Sequence, residues 1–266
     1  MSIHRFTATR FEQLLTEGRT QPLALACRPD DPNGTPRTMV VKAIGCPFVF
    51  STWQLVTETV GNAVARRMGV LTPEPGIVWI SLSVASLINR SLPPAENPTA
   101  IQPGFAAGCE YLPRMVPFTP GQMLGPEVRA QAAKLFVCDL LSQNVDRRRD
   151  RVNCGLTKNG LVAFDFELSF AHLFVHLLGK TGEPWEPSKT GIARNHLFLS
   201  IVKDHPASLE LINSTLASLT PAWWGELVAS LPPEWQPESA KLGQYLRSVT
   251  DHSEDFCRDI VTRCLI

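Results

Sequence analysis

Short apolar runs broken by turn residues fill the first part of this chain, and longer stretches with apolar residues three and four apart fill the rest. Residues 8–17 carry Phe11, Leu14 and Leu15 at helical spacing before Gly18, which predicts a short helix. Residues 23–27 and 38–44 are apolar, and the Asp-, Pro-, Asn- and Gly-rich stretch 30–36 lies between them, so they predict a hairpin. Residues 52–68 lack proline and end at Gly69, which predicts a helix; residues 77–81 predict a further strand. Residues 91–104, rich in Pro and Asn, read as a loop, and 105–112 as an extended connection between two lobes.

A helix is expected over 126–141. Two short strands follow at 154–157 and 161–164, turning at Asn159-Gly160. Beyond Phe166 the pattern is helical, with Pro-containing breaks near 184–187, 220–221 and 231–237. The expected class is α+β, with a small strand-rich lobe over 1–110 and a larger helical lobe over 111–266.

Composition changes this picture little. The chain has 266 residues with 25 Lys plus Arg against 25 Asp plus Glu, so no global charge marks it for nucleic acid. Its seven cysteines are scattered and include no C-x-x-C pair, which reads as buried free thiols in a reducing cytoplasm. No apolar run reaches membrane-spanning length, and residues 1–10 lack the apolar segment of a signal peptide, so a cytoplasmic protein is expected.

The chemistry concentrates in a few polar residues. Asp146 and Asn153 flank a basic run, and Asp165 and Glu167 follow a short apolar stretch. That order suits a magnesium nucleotide, because magnesium takes hard oxygen ligands from one or two carboxylates plus phosphates. Lys42 lies in an otherwise apolar strand and needs a counter-charge; Glu58, sixteen residues on, falls on the next helix and could supply it. Gly61, Asn62 and Ala65 share that helix face, and their small side chains would let the helix approach the sheet. Each residue also has a plain structural reading. Lys42 could stand on an edge strand with its head in water, and Glu58 on the surface. Asp146 could end a helix, Asn153 occupy a turn, and Asp165 cap a helix beginning at Phe166. The ordered set of Lys, Glu, Asp, Asn and Asp is what favours a phosphoryl-transfer site.

At these residues the chain resembles the HipA-like kinases of bacteria. The resemblance rests on Met39-Val40-Val41-Lys42, on Thr57-Glu58 with the helix end leading to Gly69-Val70-Leu71-Thr72-Pro73-Glu74-Pro75, on Asn144-Val145-Asp146-Arg147 through Asn153, and on Phe164-Asp165-Phe166-Glu167. It implies a two-lobed protein-kinase-like fold, a stand-alone kinase core, ATP and Mg2+ as cofactors, transfer to a protein Ser or Thr, and an antitoxin-like partner. Residue by residue, it implies that Lys42 contacts ATP phosphates, Glu58 holds Lys42, Asp146 is the catalytic Asp and Asp165 binds metal. Asn153 and Glu167 are further candidate metal ligands, Arg147 a candidate for neutralising phosphate, and Gly18, Arg19 and Thr20 the only obvious residues for a phosphate-covering turn, since no G-x-G-x-x-G loop exists. Adenine would lie near 105–112, with Glu110 as a candidate contact. Kinase loops place Asn five residues after the catalytic Asp. Here that position is Arg151, and Asn153 comes seven after. A pseudokinase that binds nucleotide or a partner without transfer is therefore the alternative. A small-molecule or lipid-headgroup kinase is a third reading.

His172 and His176 stand four apart, a metal-ligand spacing, but their apolar setting favours a packed pair. Trp223, Trp224 and Trp235 read as helix-packing residues.

Overall fold

The computed structural model describes residues 3–16, 18–92, 99–175, 182–204 and 212–266. Five strands, β1 (His4–Leu14), β2 (Leu23–Pro29), β3 (Arg37–Lys42), β4 (Pro75–Ile80) and β5 (Gly104–Glu110), close into a barrel in the order β1-β2-β3-β5-β4. All neighbours are antiparallel except β1 and β4. The expected hairpin is β2–β3, with Leu23 opposite Val41 and Cys27 opposite Arg37.

Where a helix is expected over 8–17, residues 8–14 belong to β1 and residue 17 lies outside the described residues. The register slips between Ala8 and Arg10 and again between Phe11 and Gln13. Each slip leaves one residue out of the ladder. Ala8, Phe11 and Leu14 therefore lie three apart in sequence but two ladder steps apart in space, facing Cys27, Leu25 and Leu23. Two bulged positions in a strand thus reproduce the spacing of a helix.

Helix α1 (Thr52–Arg67) follows β3 and is buried from Leu55 to Ala65. The Gln54 Oε1 accepts the Phe50 and Ser51 N–H groups at its start, and Gly69, at φ +76, lies just past its end. Asn62 ties the helix to the lead-in of β4, donating to the Pro73 carbonyl at 3.1 Å and accepting from Thr72 at 2.6 Å. A second helix, α2 (Leu82–Ser91), begins where Ser81 Oγ accepts the Val84 N–H. The sequence pattern left it unassigned. Part of the loop expected over 91–104 lies outside the described residues.

The rest is helical with one small sheet. Helix α3 (Pro126–Ser142) runs through the core and ends at Gln143 in the left-handed region, φ +49. Strand β6 (Val116–Pro117), before α3, and strands β7 (Cys154–Thr157) and β8 (Gly160–Ala163), after it, form a three-stranded sheet. Short helices α4 (Ile192–Asn195), α5 (Leu199–Asp204) and α6 (Ile212–Leu216) precede α7 (Pro221–Ser230), α8 (Gln236–Asp251) and α9 (Ser253–Asp259). The helices break where the prolines predicted. Trp223 and Trp235 are buried, as helix-packing residues should be. Among the described residues no helix is long and apolar enough to cross a membrane.

Candidate active site

Lys42 is the last residue of β3, and its side chain is buried. Its ammonium lies 2.7 Å from Glu58 Oε2, 2.5 Å from Asp165 Oδ1 and 3.2 Å from Glu167 Oε2. Desolvation works to lower the pKa of this lysine, but the three carboxylates outweigh it and hold the pKa well above the ordinary value. Burial pushes Glu58 upward despite Lys42. Glu167 is pushed up to about 7, first by burial, with Asp165 and Glu58 adding to the rise and Lys42 opposing it.

Helix α1 assembles this cluster from one face. Glu58 Oε2 also accepts the Phe166 N–H at 3.0 Å, and Thr57 Oγ donates to the Glu167 carbonyl at 2.7 Å. The helix can come this close because residue 61 is glycine: a Cβ there would lie 2.9 Å from Phe166 Cβ and 3.0 Å from Ser169 Cβ. The small residue thus serves an approach to the Phe166–Ser169 turn, where the sequence suggested the sheet. No helix starts at Phe166. Asp165 instead adopts φ +63, a left-handed conformation that turns its carboxylate toward Lys42.

Asp146 and Asn153 are joined to each other, and Asn153 is joined through the backbone to the segment that leads to Asp165. Asn153 Nδ2 donates to Asp146 Oδ2 at 3.2 Å, and the Asn153 carbonyl accepts the Phe164 N–H at 3.1 Å, one residue before Asp165. A carboxylate only accepts, so the amide nitrogen of Asn153 must face Asp146. Asp146 Oδ1 is held by Arg151 Nη1 at 2.5 Å, and Arg151 also lies in the field of Asp165.

Arg147, expected at the phosphates, is turned the other way. It is buried, with Nε 2.6 Å from Asp139 Oδ2, and Nη1 donates to the Asn153 and Phe164 carbonyls. Its guanidinium also lies 5.4 Å from the centre of the Phe166 ring. The side chain therefore clamps the two polar loops together from behind. Asp139, on α3, completes the clamp: His196 Nε2 approaches the same Oδ2 at 3.0 Å. Burial works to raise the Asp139 pKa, but Arg147 and His196 overrule it and leave it lowered. Asp139 and His196 were missed in the sequence. The available signal was a carboxylate between Cys138 and Leu140 in an apolar helix, which demands a partner.

Gly18 lies between β1 and β2 at φ +92 with open space around it. Glu110 ends β5, its N–H bonded to the Glu74 carbonyl. No hydrogen bond or ion pair among the described residues joins either to the cluster. His172 packs against Tyr245 with ring centres 4.9 Å apart, and His176 lies outside the described residues. The cysteines are free. Burial raises the thiols of Cys27 and Cys154 to about 12 and that of Cys138 higher still.

The donor set fits a divalent cation. Glu58, Asp165 and Glu167 each offer an oxygen, all within 4.8 Å of one another. One ammonium against three carboxylates leaves the site short of positive charge, and hard oxygen ligands are what magnesium takes.

A barrel that delivers a lysine to a helix-borne glutamate, followed by a helical part carrying Asp, Asn and Asp loops, is a kinase-like α+β fold. Among solved structures the chain is similar to the crystal structure of the proinflammatory kinase CtkA of Helicobacter pylori, with a TM-score of 0.56, 11% identity, and coverage of 96% of this chain and 98% of that one. No protein-family model and no curated protein sequence matches the chain.

Proposed function

We propose that the chain is an ATP- and Mg2+-dependent phosphotransferase of the HipA-like kind, moving the γ-phosphoryl group to a protein Ser or Thr hydroxyl. The observation that carries this reading is the contact of Lys42 with both Glu58 and Asp165. Lys42, aimed by Glu58, contacts the triphosphate. Asp165 and Glu167 hold the cation, which supplies charge neutralisation of the phosphates when bound. Asp146, oriented by Asn153, accepts the proton of the attacking hydroxyl. Arg147 has a scaffold role. The Gly18 turn covers the phosphates, and the end of β5 at Glu110 borders the adenine. The protein acceptor and an antitoxin-like partner rest on the sequence resemblance, and a cytoplasmic location on the scattered cysteines and the apolar pattern of the sequence.

A second reading, a pseudokinase, is favoured by one contact: Arg151 occupies Asp146 Oδ1, an oxygen that a catalytic base would offer to the acceptor. The test measures nucleotide binding with and without Mg2+, beside ATP turnover, for wild type and Asp165→Ala. Turnover that is lost in Asp165→Ala supports the transferase. Metal-dependent binding with zero turnover in wild type supports the pseudokinase.

A further inference from the structure

Arg151 stands where kinase loops carry the asparagine that ligates a second magnesium ion, five residues after the catalytic Asp. A guanidinium has five donors and no acceptor, so it cannot ligate a cation, and its fixed charge opposes one nearby. Its Nη1 is 2.5 Å from Asp146 Oδ1, and its charge interacts more weakly with Asp165, so a fixed positive charge stands beside the catalytic loop at the position of that ligand. The other amide of the loop, Asn153, turns its nitrogen onto Asp146 and keeps its Oδ1 as an acceptor.

We infer that Arg151 takes the place of a second divalent cation: the site holds one cation, and the guanidinium supplies the other positive charge on the polyphosphate. This rests on the phosphotransferase reading and specifies how its triphosphate is held. Arg151 is suited to move. Its side chain is 37% exposed, and ion pairs at such positions are weak. A triphosphate offers the planar fork two oxygens at once, which is the recognition that arginine makes best. Transfer of the guanidinium from Asp146 to the phosphates would also free Oδ1 for the acceptor hydroxyl.

The test counts manganese by paramagnetic resonance on the full chain, saturated with a non-hydrolysable ATP analogue, and measures analogue affinity by calorimetry. Wild type and Arg151→Lys should bind one Mn2+ with the analogue. Arg151→Asn should bind two. Arg151→Ala should weaken the analogue about tenfold to a hundredfold, as expected for losing a charge-assisted contact, while leaving adenosine affinity unchanged. Two Mn2+ in wild type, one of them lost in Asn153→Ala, would overturn the inference. So would Arg151→Asn that still binds one, or Arg151→Ala with unaltered analogue affinity. In each of those outcomes the nucleotide still binds and the phosphotransferase reading stands. Absence of analogue binding in every variant, including wild type, overturns that reading and this inference with it.

Discussion

The Lys42 ammonium and the Asp165 carboxylate, 123 positions apart in the chain, meet at 2.5 Å. One belongs to the barrel and the other to the loop after β8, so the contact closes only when both parts of the chain are folded and apposed. Lys42 is also the only cation that the three carboxylates around it contact among the described residues.

Replacing that lysine should stop the chemistry and keep the fold. Lys42→Ala is expected to lower phosphoryl transfer on the order of a hundredfold or more, the usual cost of removing a preorganised positive donor. The circular dichroism spectrum should be unchanged. Normal transfer by this variant would remove Lys42 from the phosphate site.

Glu167 gives the stability of the metal-free, nucleotide-free protein a sign with pH. Its folded pKa, about 7, lies above the ordinary value of 4.5, with burial the largest cause and Asp165 and Glu58 adding to it against Lys42. The folded state therefore holds this proton more tightly than the unfolded chain does. The stabilisation is complete below the ordinary value and lost as pH rises through the folded one. Thermal melts should give a falling Tm from about pH 4.5 to about pH 7, and Glu167→Gln should flatten that slope. A slope of the same size in the variant would assign it to other groups.

The clamp behind the loops is a matter of stability. Asp139→Ala leaves the Arg147 guanidinium buried without its carboxylate, and removing one partner of a buried pair costs about 3–5 kcal/mol. Urea unfolding should show a loss of that size. A change under about 1 kcal/mol would mean that water or a rearrangement replaces the carboxylate.

Gly61→Ala places a methyl group against Phe166 and Ser169, where a Cβ has no room. Overpacking of this kind costs about 1–3 kcal/mol. The strain falls on the turn that carries Asp165 and Glu167, so metal-dependent nucleotide binding should weaken more than stability does. Calorimetry beside thermal melts separates the two effects, and unaltered binding would show that the turn shifts without disturbing the carboxylates.

Much of this was legible in the sequence because it depends on local patterns. The hairpin of β2 and β3, the long helix α1, and the hairpin of β7 and β8, whose turn falls at Lys158-Asn159, one residue before the expected place, are set by apolar runs and by Gly, Pro and Asn between them. The cluster was legible for a related reason: a lysine inside an apolar strand and acids flanking apolar runs each need a partner. What stayed hidden depends on pairing between distant segments. The slips in β1 follow from its ladder with β2, and nothing within residues 8–17 distinguishes them from a helical turn. The inward turn of Arg147 follows from Asp139 and His196, which only the fold brings to it. The left-handed backbone at Asp165 is held by contacts from α1.

The two slips in β1 have one more effect. β1 pairs with β4 only from His4 to Thr7, so from Ala8 onward one side of the strand carries no partner from β4. Such a margin is where a neighbouring molecule could add a strand of its own and seed aggregation. The irregular residues twist that margin, and exposed Arg10 and Glu12 place charge along it. The features that disguised this strand in the sequence also guard it against unwanted association.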